Sequence, residues 1–177
     1  MALDFPDQDE ALNALAEPFR GKARLLAERV ERDGLPFVLF EAQRSFARQR
    51  DLYAKGRARD AKGVWRIVAP DEIVTKALPG QGAHNWGFAV DFVLDVTSTW
   101  WGQARPKGPW DQGSAKNPLP KMAWEKYGRL VRESGLRWGG DWGWDLPHAE
   151  LPGWRDLRPK DWVRVVERSL AGSAQDG

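Results

Sequence analysis

His84 and His148 are the only histidines in the chain, and each stands at a short interval from a carboxylate. The first segment is His84-Asn85-Trp86-Gly87-Phe88-Ala89-Val90-Asp91, and the second is Asp145-Leu146-Pro147-His148. Two imidazoles and one carboxylate form a donor set suited to a catalytic zinc, which keeps one position for water and needs a second carboxylate close by for proton transfer. His84, Asp91 and His148 are the expected ligands of one zinc ion. Asp145, left unligated, is the expected base that takes a proton from water and passes it to a leaving amine. Attack on an amide carbonyl develops negative charge that a neighbouring cation can stabilise, and Arg44 is the candidate. Neither histidine segment is specific alone; their conjunction in a chain with no other histidine carries the reading.

Composition narrows the chemistry further. With no cysteine among 177 residues, disulfides and thiolate ligands are excluded, and imidazoles and carboxylates remain as the strong ligands. The length fits one domain with a real core, expected over residues 1–177 with its body at about 20–170 and a frayed tail at 171–177. A formal charge of +2 is mildly basic and selects no particular anionic polymer. No apolar run approaches the roughly 20 residues that span a bilayer. The segment Met1-Ala2-Leu3-Asp4-Phe5-Pro6-Asp7 has neither a basic leader nor an apolar stretch, so synthesis without a secretory signal is expected. Eleven tryptophans are many for this length, and they serve either as core or as stacking platforms for sugars or bases.

These residues must be positioned by elements that the pattern outlines. Helical spacing of Leu25, Leu26, Arg29 and Val30 predicts an opening helix over 21–32, stopped at Asp33-Gly34. A β-prone run covers 36–42, and Ser45 is placed to cap a helix reaching Leu52 and Tyr53, which puts Arg44 at a strand-to-helix junction. Residues 55–66 are basic and Gly-containing and read as an exposed loop. A turn-rich stretch, 78–83, delivers His84 on a loop, and 88–94 reads as a buried strand bearing Asp91. Residues 97–120 form a long Trp-, Gly- and Pro-rich excursion. A helix is expected from Pro120 to Glu133, a strand at 136–138, and a last amphipathic helix at 160–170, with His148 in a Gly/Trp-framed loop.

Three segments resemble the zinc D,D-peptidase-like (M15-type) peptidases of the bacterial cell wall, which include L-alanyl-D-glutamate endopeptidases and phage endolysins. They are Gln43-Arg44-Ser45 with Arg48-Gln49, Leu52-Tyr53 and Gly56-Arg57; Ile73-Val74-Thr75-Lys76-Ala77 running on to His84 and Asp91; and Trp138-Gly139-Gly140-Asp141-Trp142 through Asp145 and His148. The resemblance spans about residues 36–150. It implies an α+β single domain of the Hedgehog/DD-peptidase type, with a small antiparallel sheet carrying a zinc site and helices around it. It implies zinc on His84, Asp91 and His148, catalysis by Asp145 and Arg44, and substrate contacts from Arg44, Ser45 and Gln49. Gly82 stands where the family usually has serine, and the 97–120 excursion is longer than the family leads one to expect.

The expected function is hydrolysis of a peptidoglycan stem-peptide amide, foremost L-Ala–D-Glu, by an endolysin or wall-remodelling enzyme that acts as a monomer on the wall after release from the cytoplasm, without a membrane or nucleic-acid partner. Two alternatives stay open. One is a D-Ala-D-Ala carboxypeptidase or dipeptidase; the other is a non-catalytic module binding the cell wall or single-stranded nucleic acid through its indoles.

Overall fold

The computed structural model describes residues 5–172. Helix α1 (Gln8–Asn13) opens at an Asp7 side-chain cap and leads to α2 (Phe19–Arg32), whose Phe19, Ala23, Leu26, Ala27 and Val30 form one buried stripe. Strand β1 (Phe37–Glu41) follows, and Ser45 caps α3 (Phe46–Ala54) by accepting from the Arg48 amide at 3.1 Å. Strands β2 (Arg57–Arg59) and β3 (Trp65–Ile67) make a separate hairpin, and β4 (Ala89–Leu94) returns to the main sheet. Helix α4 (Leu119–Glu133), β5 (Arg137–Trp138), β6 (His148–Glu150), α5 (Trp154–Leu157) and α6 (Trp162–Gly172) complete the chain. Among the described residues no helix is long and apolar enough to cross a membrane.

The main sheet has four strands in the order β1-β4-β6-β5, every neighbouring pair antiparallel, so the α+β architecture with a small antiparallel sheet is the observed one. Its core is a continuous cluster joining α2, α4 and the buried face of the sheet. Phe37 meets Trp124 and Tyr127 at ring-centroid distances of 4.8 and 4.9 Å, which ties β1 to α4. Each such side chain, removed from water, stabilises by about 1.5–3 kcal/mol before entropy is charged. Strand β4, one of the two inner strands, is apolar at every position except Asp91, the one half-buried residue among buried neighbours.

Three expectations change. The segment over 55–66 contains most of a hairpin rather than an open loop: Asp60 accepts from the Lys62 and Val64 amides, both at 2.9 Å, and folds the turn that basic composition concealed. Helix α1 precedes the helix expected to open the fold; six residues give too little periodicity to read. His148 begins strand β6 instead of lying in a loop. Of the expected frayed tail, 171–172 close α6 and 173–177 lie outside the described residues. The 97–120 excursion is irregular apart from a short 3-10 turn, Thr99–Trp101, and its last two residues, which open α4. Trp100 and Trp101 pack at 4.8 Å, and the Trp101 indole donates to the Asp95 carbonyl at 2.6 Å.

Candidate metal centre

The centre is assembled on β4 and β6 and on the turn that feeds β4. His84 lies in a 3-10 turn, Ala83–Trp86, that Gly87 closes in the left-handed region (φ 71°), turning the chain straight into the strand. A side chain at Gly87 would also put its Cβ 2.8 Å from the Ala16 nitrogen. Asp91 sits mid-strand and His148 is its direct partner across the β4–β6 ladder. Seven residues in sequence and one step across a sheet thus bring three side chains to one point.

The second nitrogen of each imidazole is engaged elsewhere, and this fixes which atom faces the site. His84 Nδ1 donates to the Ala42 carbonyl at 2.7 Å, so Nε2 turns inward. His148 Nε2 meets Glu150 Oε2 at 3.3 Å, so Nδ1 turns inward. His84 Nε2, His148 Nδ1 and Asp91 Oδ1 then form a nearly equilateral triangle with sides of 3.1, 3.1 and 3.2 Å. Ligand-to-ligand edges of a tetrahedron with bonds of about 2.0–2.1 Å are about 3.3 Å, so the triangle has the dimensions of one face of a zinc coordination sphere. Of the described residues, these three form the cluster of imidazoles and carboxylates able to hold a metal ion.

The charges around the triangle are strongly coupled. Burial would raise the Asp91 carboxyl, but the charges of both imidazoles and their hydrogen bonds outweigh it and hold Asp91 far below the usual carboxylate range. Burial would lower His148, yet its bonds to Asp91 and Glu150 push it up to about 10. Asp145 ends in the turn before β6, where burial raises its carboxyl and Asp91 adds to the rise, against opposing pulls from His148, His84 and Arg44. The backbone at Gly139 passes so close that a Cβ there would lie 2.3 Å from the Asp145 carbonyl oxygen and 2.9 Å from His148 Cβ. Tyr127, fully buried in α4, donates to the Pro147 carbonyl at 3.0 Å and pins the turn between Asp145 and His148.

Arg44 flanks the Asp91 corner of the triangle, with Nη2 3.8 Å from Asp91 Oδ2. A register shift between Leu39 and Glu41 makes Glu41 the cross-strand partner of Asp91. Two carboxylates thus face each other, and the Arg44 guanidinium pairs with Glu41 while its Nη1 donates to Gln49 Oε1 at 2.8 Å. The Arg44 Nε is buried and meets no acceptor among the described residues. Gln49 is 1% exposed, and its amide nitrogen donates to the Ala77 carbonyl at 2.8 Å, so it lies behind Arg44. The Ser45 hydroxyl is occupied with capping α3.

Sequence reading missed Glu41, the Ala42 carbonyl, Tyr127 and Glu150. Glu150 had a signal, since residues i and i+2 share a strand face, but only if 148–150 is read as a strand. A backbone carbonyl such as that of Ala42 has none.

Residues 13–105 match the VanY family model and residues 76–151 a Peptidase M15 model, both described as D-alanyl-D-alanine carboxypeptidase. The chain is 34% identical over 122 residues to the peptidoglycan L-alanyl-D-glutamate endopeptidase CwlK of Bacillus subtilis (strain 168), covering 67% of this chain and 62% of that protein. The match therefore spans somewhat less than two thirds of the relative's length. Among solved structures, the L-Ala D-Glu endopeptidase ChiX of Serratia marcescens aligns with a TM-score of 0.46 at 24% identity, over 84% of this chain and 88% of that one. VanYB in complex with D-alanine-D-alanine aligns with a TM-score of 0.49 at 13% identity, over 95% and 84%. With more than half of its length matched by the VanY model, the chain belongs to the D-alanyl-D-alanine carboxypeptidase family of M15-type peptidases.

Proposed function

We propose that this chain is a zinc-dependent peptidoglycan peptidase that hydrolyses the L-Ala–D-Glu amide of the stem peptide, in lysis or wall remodelling. The observation that carries the reading is the triangle of His84 Nε2, His148 Nδ1 and Asp91 Oδ1, with the outward nitrogen of each imidazole held by a protein acceptor. Zinc held there would supply a Lewis acid that polarises a carbonyl and lowers the pKa of water towards 7. Asp145 lies outside the cluster of candidate ligands but within the electrostatic reach of all three, and its raised pKa suits a group that accepts a proton from water and returns it to the departing amine. Arg44 Nη2 stands 3.8 Å from Asp91 Oδ2, which sets its positive charge beside the site, where it can stabilise the charge that develops on the attacked carbonyl oxygen, while Glu41 and Gln49 hold the guanidinium in place. Gln49 then serves substrate through Arg44, and Ser45 through the start of α3.

The L-Ala–D-Glu bond is preferred because CwlK, the 34%-identical relative, is named for it. Arg44 is also neutralised by Glu41, which leaves it ill suited to capture the free terminal carboxylate that a carboxypeptidase must bind. The second reading, removal of terminal D-Ala, has the descriptions of both matching family models in its favour.

Mass spectrometry of soluble fragments from purified peptidoglycan, with and without chelator, tests both. Chelator-sensitive appearance of new D-Glu amino termini is the expected result. Loss of terminal D-Ala alone would install the second reading, and no fragment from any wall type with added zinc would end the enzymatic one.

A further inference from the structure

Most tryptophans next to the core have a polar partner for the indole. Trp86, Trp101, Trp124, Trp138 and Trp154 each donate Nε1–H to an acceptor inside the protein, at 2.6–3.0 Å. The other six donate to none among the described residues, and of these Trp142 and Trp144 lie beside the metal centre. Trp144 is 68% exposed, the most exposed large apolar side chain described. Such an indole contributes little to folding. Gly143, in the left-handed region (φ 85°), turns the chain between them, and the two rings lie 5.9 Å apart, tilted by 40°. Trp142 in turn lies 5.4 Å from the His148 ring. Its position is fixed by Arg137, whose guanidinium is 5.5 Å from the Trp142 ring and 3.4 Å from Glu150. A row of aromatic rings therefore runs from the His148 corner of the triangle out to solvent.

We propose that Trp142 and Trp144 form a saccharide subsite, which receives the sugar ring of the glycan strand that carries the scissile stem peptide. The inference rests on the proposed reading of the centre as a stem-peptide hydrolase and names the substrate part that this reading leaves unplaced. Indoles suit a pyranose because the flat apolar face of one covers the C–H face of the other, while the hydroxyls at the sugar's rim stay in water. The spacing agrees. The first residue of the stem and its linking acyl group separate the scissile carbonyl from the sugar by roughly two residue lengths, about 7 Å extended. That reach covers the 5.4 Å between the His148 and Trp142 rings, so the sugar bearing the stem comes over Trp142, and Trp144, 5.9 Å from Trp142, flanks it on the solvent side.

Two measurements on the full chain decide it. In the first, the peptide-free disaccharide N-acetylglucosaminyl-N-acetylmuramic acid is titrated while the indole N–H resonances are followed by NMR. The Trp142 and Trp144 signals are expected to move and those of the five hydrogen-bonded indoles to stay; Trp144→Ala is expected to weaken the interaction about tenfold. Absence of shifts, or shifts confined to other tryptophans, overturns the subsite. In the second, hydrolysis of the glycan-linked stem peptide is compared with that of the free peptide. The linked substrate is expected to have the lower KM, and Trp144→Ala to abolish that preference through KM with kcat little altered. Equal KM for both substrates in the wild-type protein overturns the proposal. If neither peptide is cut, the hydrolase reading fails, while the disaccharide titration still decides the subsite.

Discussion

Glu150 stands two residues after His148 on the same face of β6. Its Oε2 accepts both from His148 Nε2 at 3.3 Å and from the Trp154 indole at 3.0 Å. A buried carboxylate is costly unless paired, and here the pairing orients a candidate metal ligand. Glu150→Gln keeps an oxygen for Trp154 but removes the charge behind His148. The expected outcome is a roughly 10–100-fold loss of zinc affinity with the fold retained, read by competition against a chromogenic chelator. Unaltered affinity would leave Glu150 a packing residue.

A zinc ion bound at this centre would have to displace a proton. His148 is raised to about 10 in the metal-free protein, so its imidazole is protonated at neutral pH, whereas a ligand imidazole must be neutral. Apparent zinc affinity should therefore climb as pH rises from 6 towards about 10, and calorimetry at pH 7 in buffers of different ionisation enthalpy should report release of about one proton. A pH-independent affinity would contradict the protonated imidazole.

Asp145→Asn should keep the metal and lose most turnover, by about 10²-fold or more, whereas His148→Ala should lose both. The two effects are separated by measuring bound zinc alongside hydrolysis. Because the base works as the carboxylate, activity should fall as pH drops through the Asp145 pKa, which burial raises above the ordinary range. Arg44 pulls that pKa down, so Arg44→Ala should move the acid limb of the pH–rate profile to higher pH as well as lowering kcat.

Gly139 and Gly82 should respond oppositely to a side chain. A Cβ at 139 would overlap the Asp145 carbonyl and press on His148, so Gly139→Ala should cost about 1–3 kcal/mol in urea denaturation and reduce turnover more than stability explains. At Gly82 the backbone is extended (φ −100°) and a Cβ would meet nothing within 4 Å. Gly82→Ser should fold with wild-type stability to within a few tenths of a kcal/mol, since glycine and serine differ by that much at a cap.

The candidate ligands were legible in the sequence because their geometry is local on one side. From His84 to Asp91 the chain makes one turn at Gly87 and enters a strand, and both ends of that path are written in residue types. Ser45 as a helix cap was legible for the same reason, being a local hydrogen bond. What escaped depends on strand pairing. Glu41 faces Asp91 only through the irregular register of β1 on β4, and Glu150 faces the site only because residues 148–150 pair with 89–91. Three-residue strands such as β6 and β2 carry too few positions to show alternation, and β2 and β3 are further disguised by arginine on nearly every other residue.

Asp91 and His148 are direct partners in the β4–β6 ladder, and side chains alternate faces along a strand. A slip of one residue between these strands would send one of the two donors to the opposite side of the sheet and dismantle the triangle. A metal ion bound by these three donors would therefore be held only by molecules whose central pairing is in register, and would tie β4 to β6 at that one step of the ladder.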